Sequence, residues 1–255
     1  MLAENDLLPP NELIAEHAGG LTREQFVLGG EATVTHALIR TGGLRAWHRV
    51  LDIGCGCGRI ARPLARYLTS GSYDGLDVRR EPIEWCRAAY RRHANFRFHH
   101  VDVRNSRYNP QGTHAAADCA LPFRSRSFDR VFLGSVFTHM LPADVSRYLS
   151  EIARVMKRGG KCLATFFILD DESASNNAAG TTSPRFAFTF GADGCSIEVA
   201  TIPEAAIAYP ERLVLDLYAR NGLTVTGIDR GAWGRGALVP NMQDAVWARR
   251  RRWIV

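Results

Sequence analysis

Lysine is nearly absent from this chain. Thirty of its 32 basic residues are arginine, and only Lys157 and Lys161 are lysine. GC-rich coding produces such a bias without any nucleic-acid partner. The formal charge is +6, and four of the excess charges lie in one run, Arg249 to Arg252. Such a run reads first as a solvated tail or the edge of a last strand; a phosphate or membrane contact is the sharper alternative. Also missing is any apolar run near the roughly 18–20 residues of a membrane span. The longest, Cys162–Leu169, has the length of a strand. The opening residues MLAENDLLPPNELIAEH carry four acids and no basic segment, so a secretory signal is not expected. The six cysteines (55, 57, 86, 119, 162 and 195) form no CxxC pair and have no histidines at zinc-like spacing. That pattern argues against a structural metal and for reduced thiols in a cytoplasmic protein.

What is present is ordinary globular material: 255 residues, 46% hydrophobic and 23% charged. The length fits one large domain, or one domain carrying a lobe, with a core that needs no disulfides. Short apolar strands alternate with helical stretches. Thr22–Arg40 has helical spacing of Phe26, Val34, Leu38 and Ile39. Strands are expected at Arg49–Ile53, Tyr73–Val78, Phe96–Val101, Phe128–Leu133 and Lys161–Leu169. Helices are expected between them at Arg59–Leu68, Glu81–His93 and Ala143–Met156. This alternation predicts βαβ units and an α/β fold with a doubly wound, mostly parallel sheet. The first twenty residues read as a loose entry, and Asp170–Thr182 as a polar connector. After it, a hairpin strand at Phe186–Phe190, a helix at Glu211–Asn221 and strands at Leu223–Asp229 and Asp244–Arg249 suggest an antiparallel C-terminal edge. Gly231–Gly236 reads as a loop.

The most informative run is Val50-Leu-Asp-Ile-Gly-Cys-Gly-Cys-Gly-Arg59. It reads as a strand, a turn with Gly54, Gly56 and Gly58, and then a helix. Glycines let a ligand approach the backbone, and the new helix offers free N–H groups. In an open α/β sheet, ligands bind at such carboxyl ends of strands. The next strand ends in Tyr73-Asp-Gly-Leu-Asp77. A carboxylate at that place can accept hydrogen bonds from both ribose hydroxyls of a nucleoside.

With these two features in hand, residues 49–170 resemble the class I S-adenosylmethionine (SAM)-dependent methyltransferases. LDIGCGCG, from Leu51, is similar to the family's first motif, and Gly75-Leu-Asp-Val78 to its ribose-binding strand end. Ala117-Asp-Cys-Ala-Leu-Pro-Phe123 with Ser127-Phe-Asp129 resembles the segment near adenine. Leu149–Lys161 resembles the run into the fifth strand. The resemblance implies a Rossmann-like methyltransferase fold, SAM as cofactor and S-adenosylhomocysteine as product. It also implies cofactor contacts from Asp52, Gly54, Gly56, Gly58, Asp77, Val78, Asp118, Cys119 and Ser135. The insertion Arg104–Ala116 separates the third strand from the LPF segment. It leaves Asp102 and Asp118 as alternatives for the adenine side, with Asp118 preferred.

The family places its acceptor above strands four and five. There this chain has Gly134-Ser-Val-Phe-Thr-His-Met140 in place of the (D/N)PP(Y/F) of many amine methyltransferases. His139 and Glu172 are the candidate catalytic bases, and Tyr209 and Trp233 the candidate substrate walls. Phe26, Gly29, Gly30 and Glu31 resemble a cap over SAM. The expected layout is cap helices over 1–48, the SAM core over 49–170, a substrate lid over 171–210 and a closing helix and strands over 211–255. The expected activity is methylation of a small molecule (a sugar, lipid head or specialised metabolite) at oxygen, with carbon and nitrogen as alternatives. A SAM-binding protein that does not methylate and a nucleic-acid methyltransferase are the competing readings. Neither a nucleic-acid partner nor a membrane span is expected, and the oligomeric state is left open.

Overall fold

A computed structural model describes residues 7–235 and 242–251. Gly236 of the expected loop and Arg252 of the basic run lie outside the described residues. The chain divides into two compact units. One runs to Asp102 and takes in Phe128–Phe132; the other comprises Val103–Ser127 and the chain from Leu133 on.

The first unit begins with helix α1, Asn11–His17, where a loose entry was expected. Pro10 supplies a preset φ at its start, and Leu13 and Ile14 bury its inner face. Helix α2, Arg23–Ala32, opens on a capping box between Thr22 and Gln25. It continues as a π-helical stretch, Thr33–Thr41, so the expected single helix is wound in two ways. Strands β1 (Arg49–Ile53), β2 (Ser72–Asp77), β3 (Phe96–His100) and β4 (Phe128–Leu133) stand in the order β3-β2-β1-β4. The β1–β2 and β2–β3 pairs are parallel. Helices α3 (Ala61–Tyr67) and α4 (Arg80–Ala89) make the crossovers. β1 and β2 are buried along almost their whole length, as strands covered on both faces must be. Tyr73, Tyr90, Phe96 and Phe98 pack ring on ring between β2, β3 and the end of α4.

In the second unit, α5 (Pro142–Val155) leads into the long strand β5 (Met156–Leu169). Asp244–Arg249 of β10 (Asp244–Arg250) pairs antiparallel with Lys161–Phe166 of β5, and β9 (Leu223–Asp229) pairs antiparallel with β10. The mostly parallel sheet with an antiparallel edge is therefore present. Arg249 and Arg250 of the basic run end β10, which lies between β5 and the edge strand β9. Beyond Phe166, β5 takes a second partner, the parallel β8 (Ile207–Pro210). β7 (Cys195–Ile197) and β6 (Phe188–Phe190) follow as an antiparallel hairpin. The phenylalanines of the expected Phe186–Phe190 strand differ: Phe186 is buried against Phe167 and Trp233, and Phe188 is exposed.

The expected polar connector is largely a helix, α6 (Asp171–Ala178). Asp170 caps it by accepting from the Ser173 amide, and the Ser173 hydroxyl accepts from the Asp170 amide. Acids in its first turn favour the positive end of the helix dipole. Helix α7 (Glu211–Arg220) leads into β9. All six cysteines are free and buried. No helix among the described residues is long and apolar enough to cross a membrane.

Candidate active site

The glycine turn has the geometry the sequence requires of it. Gly54, Gly56 and Gly58 have φ of 78°, 51° and 87°, a region side-chain-bearing residues rarely adopt. The amides of Gly54 and Cys55 both donate to the Leu76 carbonyl, at 2.7 and 3.1 Å, tying the turn to the end of β2. Asp77 completes the tie. Its Oδ2 accepts from the Gly56 amide at 2.8 Å, and its Oδ1 from the Arg79 amide at 2.9 Å. The Arg79 guanidinium donates to the His17 carbonyl at 2.8 Å, at the end of α1. A Cβ on Gly56 would make only ordinary contact with that same carbonyl, at 3.4 Å, so the positive φ is what favours glycine there. Leu13, Ile14, Phe26 and Cys57 cluster behind it. The N-terminal helices thus pack on the turn. Glu31 of that cap is held by Arg62 and Arg66, at 2.5 and 2.6 Å.

Asp52, on β1, is buried. Its Oδ2 accepts from the Tyr73 hydroxyl at 2.6 Å, and its Oδ1 is a buried acceptor without a protein donor. Burial pushes its pKa up from 3.8 to about 7. The folded chain therefore holds this proton more tightly than the unfolded chain. The stability it contributes is fully present below about pH 4 and is lost as pH rises through about 7. Asp52→Asn keeps the group neutral at every pH. The wild-type melting temperature is expected to fall relative to that variant between about pH 4 and pH 7. Parallel melting curves against pH would contradict this.

SAM presents a methionine portion, a ribose and an adenine. The residues of this unit fit the first two: backbone brought forward by three positive-φ glycines, and a carboxylate held at the second strand's end. A carboxylate has about four acceptor positions, so Asp77 retains capacity for a ribose hydroxyl beyond its two backbone amides. The orphaned Oδ1 of Asp52 is a further buried acceptor for a ligand donor. Val78 follows Asp77, and its carbonyl accepts from His100 Nε2 at 3.1 Å.

In the second unit, Asp118 closes a short 3-10 turn, Ala116–Asp118, and is exposed. Cys119 is buried, with its carbonyl accepting from Arg147 Nε at 2.7 Å. Ser135, just past β4, takes the left-handed φ of 57°. Its amide donates to Thr165 Oγ1 at 2.7 Å and its hydroxyl to Gln243 Oε1 at 2.9 Å. Strained backbone of this kind gathers at ligand sites. Nothing in the sequence linked Thr165 and Gln243 to Ser135, since 30 and 108 residues separate them.

His139 lies in a short 3-10 turn, Phe137–His139. Nδ1 is 3.2 Å from the Glu204 carbonyl, and Nε2 is 3.2 Å from the Tyr108 hydroxyl. Burial, with Arg107 nearby, pushes its pKa down to about 4. It is therefore neutral across the physiological range, as a base must be. Tyr108 is a neighbour that the sequence did not reveal.

Three other expectations are corrected. Glu172 is not a poised base: it sits in the first turn of α6, exposed, with Oε2 3.2 Å from Arg235 Nε. Tyr209 is no pocket wall. Its ring packs in the core against Phe166, and its hydroxyl donates to the carbonyls of Phe137 and Met140. Trp233 is likewise core, packed with Phe167 and Phe186, its Nε1 donating to Asp244 at 2.6 Å. In each case an aromatic polar tip finds an internal acceptor, which lets the whole ring be buried.

Comparison with known proteins agrees with this geometry. A family model described as a methyltransferase domain matches residues 51–164. A fatty-acid O-methyltransferase of Mycolicibacterium smegmatis is 37% identical over 120 residues, covering 46% of this chain and 36% of that protein. A phthiotriol/phenolphthiotriol dimycocerosates methyltransferase of Mycobacterium ulcerans is 36% identical over 178 residues, covering 69% of this chain and 56% of that protein. The chain thus spans between about a third and somewhat over half of these relatives' lengths. Among solved structures, a SAM-dependent methyltransferase of Methanosarcina mazei superposes with a TM-score of 0.54 at 18% identity, covering 83% of this chain and 96% of that one. With the glycine turn, the strand-end Asp77 and the matched model together, residues 51–164 are a methyltransferase domain, and the Methanosarcina mazei structure shares its fold.

Proposed function

We propose that this protein methylates an oxygen of a small, lipid-like molecule with SAM as methyl donor. The observation that carries the reading is the Gly54–Gly58 turn tied through Asp77 to the end of β2. The choice of a lipid-like acceptor leans on the relatives, one named for fatty acids and one for phthiotriol dimycocerosates. SAM supplies a methyl group on a sulfonium, an electrophile suited to in-line displacement. In this reading Gly54, Gly56 and Gly58 hold the methionine portion by their backbone. Asp52 offers its orphaned oxygen to a ligand donor. Asp77 accepts from the ribose, beside Val78. Asp118 and Cys119 serve the adenine, and Ser135, held left-handed by Thr165, lies on the cofactor side. His139, neutral and half-buried, is the base. Much of the rate comes from positioning and the exclusion of water.

The test is product identity. The protein is incubated with methyl-labelled SAM and a panel of long-chain alcohols, phenols and fatty acids, and products are resolved by mass spectrometry. O-methyl ethers or esters formed in step with S-adenosylhomocysteine are expected. Label found only on carbon or nitrogen, or no methylated product at all, would contradict the reading.

A further inference from the structure

Glu16 and His17 end α1, and Glu81, 64 residues beyond His17, lies in the first turn of α4. All three belong to the first unit. Each offers one ligand atom, and the three atoms lie within 4.8 Å of one another. An imidazole with two carboxylates is a ligand set for a divalent cation. His17 Nε2 and Glu81 Oε2 are 3.1 Å apart. Neighbouring ligand atoms on a zinc ion lie about 3.0–3.4 Å apart, given metal bonds of about 2.0–2.2 Å. The His17–Glu81 spacing already matches that edge. Glu16 and Glu81 are exposed, so their carboxylates can turn to close the wider spacing.

Burial separates this set from an ordinary surface pair. The His17 side chain is 9% exposed and that of Glu81 69%. His17 Nδ1 is buried and has no partner. A neutral imidazole has one donor and one acceptor nitrogen, so either tautomer leaves Nδ1 unsatisfied. What holds the ring must come through Nε2. A hydrogen bond to an exposed carboxylate contributes little, and a bond to a metal ion contributes far more. Among the described residues, neither carboxylate has an arginine or lysine as ion-pair partner. Two like charges therefore gather beside a buried ring, and a cation would offset them.

We propose that Glu16, His17 and Glu81 bind one zinc-class divalent cation, which staples α1 to α4 beside the glycine turn. The imidazole selects against magnesium and calcium, which take oxygen ligands. Three protein ligands leave a position for water. The consequence for the turn follows from where His17 stands. Its carbonyl accepts from the Arg79 guanidinium, the Arg79 amide donates to Asp77, and Asp77 holds the Gly56 amide. An ion on the side chains of His17 and Glu81 joins the residues on either side of this chain of bonds. Fixing α1 on the turn in advance removes an ordering cost from cofactor binding, so the ion and SAM favour one another. This coupling rests on the SAM reading above; the ion site does not. The cysteine spacing and the local sequence give no sign of the site, because Glu81 reaches it only through the fold.

The test titrates the full chain, stripped with a chelator, with zinc, cobalt and magnesium chlorides by calorimetry. One zinc ion per chain is expected, in the micromolar range, with no magnesium heat at the same concentrations. Bound cobalt is expected to show visible d–d bands without the near-ultraviolet charge-transfer band of a thiolate ligand, which separates this site from the six cysteines. Glu16→Gln and Glu81→Gln remove one charged ligand each from exposed positions and leave the fold intact. Each is expected to weaken zinc binding at least tenfold, because even the loss of a group that only supports a ligand costs about 10–100-fold. Glu84→Gln, on the same helix and paired with Arg80, is expected to bind zinc like wild type. S-adenosylhomocysteine is expected to bind more tightly with zinc than without it, and Glu81→Gln to lose that difference. No zinc binding, a thiolate band, or zinc affinity unchanged in both glutamate variants (an adventitious ion only) overturns the site. Zinc binding that both variants weaken, with S-adenosylhomocysteine affinity the same with and without the ion, overturns the coupling. A chain that binds zinc as expected but never S-adenosylhomocysteine upholds the site and overturns the SAM reading.

Discussion

Asp77→Ala is expected to weaken SAM and S-adenosylhomocysteine binding by about 10²–10³-fold. The carboxylate does two jobs at once. It accepts from the amides of Gly56 and Arg79, so its loss frees the turn that holds the methionine portion. It also presents the acceptor that a ribose diol requires. Hydrogen bonds to a charged group contribute about 1.5–3 kcal/mol each, and leaving buried donors unpaired costs a similar amount. Two such losses account for the expected range. Asp77→Asn keeps one acceptor oxygen and is expected to fall between. Calorimetric titration with S-adenosylhomocysteine, which avoids turnover, measures the effect. Affinity within about threefold of wild type would remove Asp77 from the site.

The largest effect on stability is expected at Asp244. This side chain has no exposed surface, yet it satisfies three donors from separate segments. Oδ2 accepts from the Ile168 amide at 2.8 Å and from Trp233 Nε1 at 2.6 Å. Oδ1 accepts from the Gly231 amide at 2.9 Å, and Arg235 approaches at 3.8 Å. Burial holds its pKa above the usual carboxylate value. Alanine would orphan all three donors, while Arg235 would keep its pairing with Asp170 and Glu172. The expected cost is about 3–5 kcal/mol. For a chain of this size that is a fall in melting temperature of about 10 °C or more. A melting temperature within about 2 °C of wild type would mean that water replaces the carboxylate at little cost. Trp233→Phe keeps the packing and loses one bond, so it is expected to cost about 1–2 kcal/mol.

The parts of the fold legible in the sequence are those where backbone geometry dictates residue type. Gly54, Gly56 and Gly58 each take a positive φ, which strongly favours glycine. Asp77 closes a buried strand with a charge, which is costly without a purpose. The strands Arg49–Ile53, Phe128–Leu133 and Leu223–Asp229 were readable from their apolar runs and stand where expected. Helix α6 was not readable. Its sequence Asp-Glu-Ser-Ala-Ser-Asn-Asn-Ala has no apolar face, and its start depends on the Asp170–Ser173 capping pair. Strand β8 was missed because four residues ending in proline carry no period; its partner, the end of β5, supplies the order. The aromatic residues misled in one consistent way. The sequence displays the rings of Tyr209 and Trp233 but conceals the Phe137 and Met140 carbonyls and the Asp244 carboxylate that let them be buried. The pairing of Tyr108 with His139, 31 residues apart, is a product of the insertion's path and has no local signature.

The account stands on SAM being held by the glycine turn. The most direct measurement is a calorimetric titration of the wild-type chain with SAM, repeated in the presence of S-adenosylhomocysteine. One saturable site per chain is predicted, with a dissociation constant in the micromolar range or below and full competition by the product. No saturable heat, or binding that S-adenosylhomocysteine does not displace, would contradict it.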